Sequence, residues 1–328
     1  MGNSGDSLGD ALRCEVLVLD GGLSNQLQDQ GQDLSDDLWS ARLLADDPDE
    51  ILAAHLAYLR AGARVLITSS YQATFEGFAQ RGIGHEKAAE LLSRSVGLAR
   101  EAARRAGEPD SPAWVAASVG PYGAMLADGS EYRGRYGLSV PELELFHRPR
   151  IEVLARSAPD VLALETVPDS AEAEAMLRAA EGTGIPVWLS YTIDGGVTRA
   201  GQPLADAFAL AAANDQVIAV GVNCCAPQDV AAAVAVAAQV TGKPVVVYPN
   251  SGERWDAAAR SWSGSSTFAP ALVRAWRDAG ATLIGGCCRV SPAAIAAVGA
   301  ALAAITRLEV REPLPRYRGV GLSAFWPR

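Results

Sequence analysis

Eight short apolar runs recur along the chain, and stretches rich in Ala and Leu separate them. Apolar residues in these runs do not alternate with polar ones, so each run is expected to be a strand buried on both faces of a parallel sheet. Eight strand–helix units in 328 residues match the size of a closed (β/α)8 TIM-type barrel. No GxGxxG motif follows the first run, which disfavours a doubly wound sheet. The predicted strands are Val16–Leu19, Val65–Thr68, Trp114–Ser118, Val161–Leu164, Val187–Tyr191, Val217–Val222, Val245–Tyr248 and Thr282–Ile284.

Helix signals lie between the runs. Asp47-Pro48-Asp49-Glu50 combines a capping residue, a first-turn proline and a capping-box glutamate. Ser291-Pro292 begins the last helix, which is predicted over Ala293–Ile305. We therefore expect one barrel domain over residues 14–308, with Cys14 packed in the first strand. A disordered leader is expected over residues 1–13, and a tail packed on the barrel over residues 309–328.

Composition and charge narrow the class of protein. Hydrophobic residues make up 49% of the chain and charged residues 20%, as in a typical globular protein. The net charge of −10 disfavours a nucleic-acid partner, because phosphate binding needs a basic face. The longest apolar stretch falls short of the roughly 20 residues of a membrane helix, and the polar first residues do not resemble a secretory signal. We expect a cytoplasmic protein that acts on small molecules.

The cysteines supply the first chemical signal. Two adjacent pairs follow the sixth and eighth runs, and the strand ends of such a barrel meet at one rim. Three thiolates suit a catalytic zinc site, which keeps its fourth position open. Cys287 and Cys288 can both face one metal if Gly285-Gly286 lets the chain leave strand geometry. The third ligand is Cys224 or Cys225, and strand alternation does not choose between them. Buried apolar packing, a frequent role of cysteine, is the competing interpretation.

No histidine competes for this metal. His55, His85 and His147 lie in helical or linker contexts, and none belongs to an HxH or HExxH pattern. A redox role for Cys287-Cys288 is disfavoured because a vicinal disulfide needs strained geometry.

Seven segments spread over the chain carry a shared set of motifs: Leu19–Gly22, Gly120–Ala124, Leu126–Gly134, Leu164–Pro168, Gly221–Cys224, Tyr248–Glu253 and Gly285–Cys288. Together these segments resemble the homocysteine S-methyltransferase family. The likeness extends from about Val16 to Ile305. The tyrosine-rich and YPNSGE segments are most similar to the small bacterial and plant branch, which uses S-methylmethionine or S-adenosylmethionine.

The resemblance implies a zinc-dependent barrel in which Cys224, Cys287 and Cys288 bind Zn²⁺. Relatives usually carry another residue where this chain has Cys225. Zinc would hold homocysteine as a thiolate, and a methyl group would pass from a sulfonium donor to its sulfur, giving methionine. A sulfonium leaving group needs no acid, which agrees with the absence of a rim histidine.

The substrates' charges indicate further site residues. Glu165 matches the family's homocysteine-binding glutamate, Asp20 is a second carboxylate for the ammonium, and the following loop can offer backbone N–H groups to the carboxylate. Aromatic side chains could attract the sulfonium by about 0.5–2 kcal/mol. The expected homocysteine contacts are Asp20, Gly21, Gly22, Leu23, Ser24, Glu165 and Asn223, and the donor-site candidates are Tyr122, Tyr132 and Trp255.

Three alternatives stay open. The same barrel could methylate selenohomocysteine or selenocysteine, or it could use betaine as donor. A methyl-folate donor would usually require further cobalamin-binding domains, for which this chain has no room. A zinc-binding sensor or scaffold without turnover is also possible, although a scaffold needs neither Glu165 nor an open coordination position.

Overall fold

The computed structural model describes residues 7–34, 40–107, 113–256 and 261–311. The eight predicted strands all form, and each pairs in parallel with its neighbours in one sheet. Numbered along the chain, they are ordered 1-8-7-6-5-4-3-2, and a parallel bridge from Leu19 to Val65 joins the first strand to the second. The predicted barrel is confirmed. The strands are Leu17–Val18, Val65–Ile67, Trp114–Val119, Val161–Val167, Val187–Tyr191, Val217–Asn223, Val245–Tyr248 and Ala281–Ile284.

Helices alternate with these strands. The last helix is longer than predicted, since Pro292–Arg311 extends into the expected tail, whose residues 312–328 lie outside the described part of the chain. Two antiparallel hairpins, Ile193–Asp194 with Val197–Thr198 and Arg254–Asp256 with Ser261–Ser263, follow the fifth and seventh barrel strands. No helix of the described ranges is long and apolar enough to cross a membrane. The α-helices are Leu8–Cys14, Leu23–Asp29, Ser40–Asp46, Pro48–Arg60, Phe75–Gln80, His85–Ala106, Tyr122–Leu126, Val140–Arg156, Ser170–Ala180, Leu204–Ala212, Val230–Thr241, Pro270–Asp278 and Pro292–Arg311, and single 3-10 turns lie at Ser130–Tyr132 and Pro227–Asp229.

Alternation along the strands divides the core in two. One set of side chains, to which all eight strands contribute, fills the barrel interior. The other set packs outward against the surrounding helices. This two-sided burial explains why the runs show no polar alternation in the sequence.

The start of the chain differs from the predicted leader. Residues Leu8–Cys14 form a helix that Ser7 caps by accepting a hydrogen bond from the Asp10 N–H. Leu8 and Leu12 are 2% and 1% exposed and pack with the barrel interior. The helix therefore closes the barrel at the end opposite the rim, while residues 1–6 lie outside the described ranges. Cys14, expected in the first strand, is the exposed last residue of this helix.

Because the helix is part of the core, truncating it is expected to destabilise the barrel. Leu12→Ala should lower the free energy of unfolding by about 2–4 kcal/mol, the loss typical of replacing a buried leucine with alanine. Urea unfolding measures this loss. Arg13→Ala is the matched control, because Arg13 lies on the same helix with its side chain 61% exposed. If Leu12→Ala and wild type had the same free energy of unfolding, the prediction of a disordered leader would stand.

A buried histidine makes the fold sensitive to acid. His55 lies in the helix Pro48–Arg60 and is fully buried. Neither of its ring nitrogens has a hydrogen-bond partner within the described ranges, and burial lowers the pKa of His55 to about 4. The unfolded chain binds this proton near pH 6.5, so the stability that neutral His55 contributes is complete above that pH and is lost as the pH falls toward 4. At pH 5 the loss is about 2 kcal/mol, at about 1.4 kcal/mol per pKa unit.

His55→Leu is expected to abolish this acid sensitivity. The free energy of unfolding of wild type and variant, both freed of metal, is compared at pH 7 and pH 5. The difference between the two proteins should shift in favour of the variant at pH 5. A difference that stays constant with pH would contradict the assignment.

Candidate active site

A cavity of about 420 Å³ opens at the carboxyl ends of the strands, a size suited to small ligands. Segments at the ends of seven of the eight strands contribute to its wall, and only the fifth strand does not. The wall includes Gly21, Gly22, Leu23, Ser24, Thr68, Ser69, Tyr71, Gln72, Ser118, Asp128, Glu131, Tyr132, Glu165, Thr166, Cys224, Tyr248, Cys287 and Cys288.

Three cysteine sulfurs converge on this cavity. The Sγ atoms of Cys224, Cys287 and Cys288 all lie within 4.8 Å of one another. The Cys287 and Cys288 sulfurs are 4.0 Å apart, close to the roughly 3.8 Å expected for two thiolates on a tetrahedral zinc with bonds of about 2.3 Å. The Cys224 and Cys287 sulfurs lie in direct contact with each other. A metal ion would bind these two cysteines in their reduced, thiolate form. The donor set and the adjoining open space fit a catalytic zinc ion.

The backbone at Cys224 decides which of the adjacent thiols joins the cluster. Cys224 has a φ of 47°, in the left-handed region, so strand alternation ends there. Its thiol lines the cavity, while Cys225 is 1% exposed and packs in the outer core. Such strained residues cluster at functional sites.

Hydrogen bonds anchor the loop that carries the other two thiols. The Cys287 N–H donates to the Pro249 carbonyl at 2.7 Å, and the Cys288 N–H donates to Asn250 Oδ1 at 3.2 Å. The expected freedom at Gly285-Gly286 is not used, since neither residue has a positive φ. Small size is what the loop requires, because a Cβ on Gly286 would lie 2.2 Å from Val290. Close packing within this one loop therefore explains the glycine.

Asn223 supports the site from beneath. Its side chain is fully buried and does not line the cavity, and its expected contact with homocysteine stays a prediction. Asn223 Oδ1 accepts from the Thr166 N–H at 2.7 Å, and Nδ2 donates to Thr166 Oγ1 at 2.7 Å. Thr166, with a φ of 57°, donates from its hydroxyl to Cys224 Sγ at 3.6 Å. Asn223 thus positions Thr166 beside the cluster.

Glu165 is held in a hydrogen-bond network that the sequence analysis missed. Its carboxylate accepts from the Ser118 and Tyr248 hydroxyls, and Trp188 Nε1 donates to Tyr248 Oη at 3.1 Å. Burial raises the pKa of Glu165 to about 7. Ser118 and Tyr248 end predicted strands, and polar side chains in such runs were the available signal. The network fixes one carboxylate in the cavity wall.

Asp20 lies deeper than expected. It is 1% exposed and absent from the cavity wall. Its Oδ2 accepts from the Ile67 N–H at 2.8 Å, whereas its Oδ1 has no hydrogen-bond partner among the residues that the structure describes. Burial raises its pKa well above the usual range. Gly21, Gly22, Leu23 and Ser24 do line the cavity, as predicted, although the Gly22 N–H already donates to Val290 O.

The three donor-site candidates differ in their position relative to the cavity. Tyr132 lines the cavity, with the Arg199 guanidinium 5.6 Å from its ring centroid. Tyr122 does not line it, because its ring packs against Tyr136 and Phe146. The Trp255 side chain lies outside the described residues. Tyr71, which the sequence analysis did not single out, lines the cavity and packs on Gly120, where a Cβ would come within 2.7 Å of its ring.

The cavity wall is acidic. Asp33, Asp128, Glu131 and Glu165 contribute to it, and no Lys, Arg or His is found among its described residues. A wall of one charge sign favours ligands of the opposite sign. The site is therefore suited to positively charged groups.

Comparisons with known proteins agree with this site. The family model described as homocysteine S-methyltransferase matches residues 17–302. Homocysteine S-methyltransferase 4 of Zea mays is 47% identical over 87% of this chain and 89% of its own length. Selenocysteine Se-methyltransferase of Brassica oleracea is 43% identical over 86% of this chain and 87% of its own. The metallated homocysteine methyltransferase MmuM of Escherichia coli superposes with a TM-score of 0.79 at 43% identity, covering 87% of this chain and 96% of that one. The chain belongs to the homocysteine S-methyltransferase family.

Proposed function

We propose that this enzyme transfers a methyl group from a sulfonium donor, S-methylmethionine or S-adenosylmethionine, to the sulfur of L-homocysteine, giving methionine. The observation that carries the proposal is the convergence of three thiols on an acidic cavity that has no basic side chain among its described residues. Membership of an enzyme family argues against a non-catalytic sensor.

Cys224, Cys287 and Cys288 are the proposed ligands of Zn²⁺. When bound there, zinc would supply an open coordination position in which the homocysteine thiol loses its proton. Thr166, Asn223 and Asn250 hold the ligands in place, the first two through Cys224 and the third through the Cys288 N–H.

Homocysteine is oriented by the groups around the cluster. Glu165 accepts the substrate ammonium, since its position is fixed by Ser118 and Tyr248. The substrate carboxylate faces the Gly21–Ser24 loop, where Leu23 and Ser24 line the wall. This arrangement points the thiol toward the cysteine cluster.

The transfer is an in-line displacement between two sulfur atoms. The homocysteine sulfur forms a bond to the methyl carbon while the donor's S–CH3 bond breaks, and that electron pair returns to the donor sulfur. The donor leaves as a neutral thioether, so no acid is required. Tyr71 and Tyr132 line the space available to the donor cation, where aromatic faces attract positive charge.

A second candidate acceptor contains selenium. The Brassica oleracea relative is named as a selenocysteine Se-methyltransferase, and its 43% identity is close to the 47% of the Zea mays homocysteine S-methyltransferase. Selenocysteine is shorter than homocysteine by one carbon, so the distance from Glu165 to the cluster would select between the two acceptors.

A donor panel tests the proposal. The enzyme is incubated with homocysteine and S-methylmethionine, S-adenosylmethionine or betaine, with and without a chelator, and methionine is quantified. We expect methionine from at least one sulfonium donor and its loss on chelation. Zinc-loaded enzyme that forms no methionine from either sulfonium donor would overturn the proposal. Parallel reactions with selenocysteine test the second candidate.

A further inference from the structure

Glu131 is a buried carboxylate in the cavity wall to which the proposed mechanism gives no role. It is 8% exposed, and its Oε2 has no hydrogen-bond partner in the described part of the chain. Burial raises its pKa to about 7. A buried acceptor without a partner lowers stability, and such groups in native proteins call for an explanation. A ligand that brings positive charge into the cavity would supply the missing partner.

The backbone that carries Glu131 is firmly anchored. It lies in the 3-10 turn Ser130–Tyr132, whose first residue donates its N–H to Asp128 Oδ1 at 2.9 Å. The preceding helix packs closely on this turn, because a Cβ on Gly123 would lie 2.5 Å from the Glu131 nitrogen. The backbone beneath the carboxylate is therefore placed before a ligand arrives, which reduces the entropy lost on binding.

Glu131 lies near the cysteine cluster at which the acceptor sulfur would react. It lies close enough to Tyr71, Tyr132 and Cys288 for its charge to act on all three. All three side chains line the same cavity as Glu131. A methyl donor must bring its sulfonium into this region to reach an acceptor held at the cluster.

A sulfonium group carries no N–H or O–H, so hydrogen bonds cannot recognise it. Only charge attraction and aromatic faces distinguish it from a neutral thioether. Glu165 is already assigned to the ammonium of homocysteine, which leaves Glu131 as the buried carboxylate beside the aromatic pair. We propose that Glu131 is a specificity-determining residue that selects a positively charged methyl donor by attracting its sulfonium group. This inference rests on the proposed function.

The role predicts a particular kinetic signature. The donor loses its positive charge as the methyl group leaves, so the attraction of Glu131 is greater for the bound donor than for the transition state. An interaction of this kind lowers KM for the donor and does not raise kcat. A residue that only shaped the cavity would act on charged and uncharged ligands alike.

The test compares a sulfonium with its uncharged carbon isostere. Donor KM is measured for S-methylmethionine in wild type and in Glu131→Gln at saturating homocysteine, and 2-amino-5-methylhexanoic acid is assayed as a competitive inhibitor. Glu131→Gln should raise the donor KM about tenfold or more, the range expected for a nearby opposite charge. Its kcat, its KM for homocysteine and its inhibition constant for the isostere should change less than threefold. Glu131→Asp, which keeps the charge, should retain most of the preference for the sulfonium.

Each outcome separates this inference from the proposed function. Equal losses of affinity for the sulfonium and the isostere in Glu131→Gln, or no loss for either, would overturn the selective role of Glu131 while wild-type activity stands. Wild type that is inactive with every sulfonium donor overturns the proposed function itself. If Glu131→Gln does not fold, wild type decides, because an isostere that binds as tightly as S-methylmethionine would also overturn the selective role of Glu131.

Discussion

Cys288→Ala is expected to lose both its bound zinc and its methyltransferase activity. Two thiolates cannot complete a site that binds zinc through three protein ligands. Activity should therefore fall by more than the roughly 10–100-fold that substitutions of outer-shell residues produce. Metal content by atomic absorption and methionine formation from the active sulfonium donor measure the two losses.

The chain offers a matched control one residue from another proposed ligand. Cys225 is buried in the outer core and its thiol lies outside the cluster. Cys225→Ala should keep one zinc per chain and near wild-type activity, with a loss of stability of about 1 kcal/mol for the small void. Zinc retained by Cys288→Ala, or lost from Cys225→Ala, would refute the ligand assignment.

Glu165→Gln is expected to raise KM for homocysteine about 10–100-fold while zinc stays bound. Hydrogen bonds from Ser118 and Tyr248 fix the position of the carboxylate. A hydrogen bond from the substrate ammonium to this charged group is worth about 1.5–3 kcal/mol. Glutamine keeps the shape but removes the charge that attracts the ammonium. Steady-state kinetics with varied homocysteine, together with metal analysis, give both quantities.

The donor supplies the internal control for this variant. KM for the sulfonium donor should change little in Glu165→Gln, the reverse of the pattern expected for Glu131→Gln. An unchanged KM for homocysteine would remove Glu165 from the binding site. Loss of zinc would instead make it a support of the metal cluster.

The barrel was predictable because its signal is local and repeated. Strands such as Val187–Tyr191 and Val245–Tyr248 were predicted with their observed bounds, since burial on both faces leaves uninterrupted apolar runs. The helix Leu8–Cys14 was missed because seven residues are too few for a helical periodicity to be recognised. Its stability comes from Leu8 and Leu12 docking onto the barrel, a tertiary contact that periodicity alone does not predict.

The site was predictable as a set of strand ends but not in its detail. Alternation could not choose between Cys224 and Cys225, because the backbone leaves strand geometry at Cys224. Tyr122 and Tyr71 both follow strands, yet only Tyr71 lines the cavity, since loop packing turns Tyr122 toward Phe146. Asn223 and Asp20 were expected to contact substrate, whereas both are buried outside the cavity wall.

The distribution of the three thiols along the chain has a consequence for biosynthesis. Cys224 and Cys287 are separated by 63 residues, and the last strand pairs with the first. A ribosome must therefore release the eighth strand before the ligands can meet. Metal loading then follows translation of nearly the whole barrel, so a truncated chain that ends before residue 287 could fold in part but could not acquire the three-thiolate site.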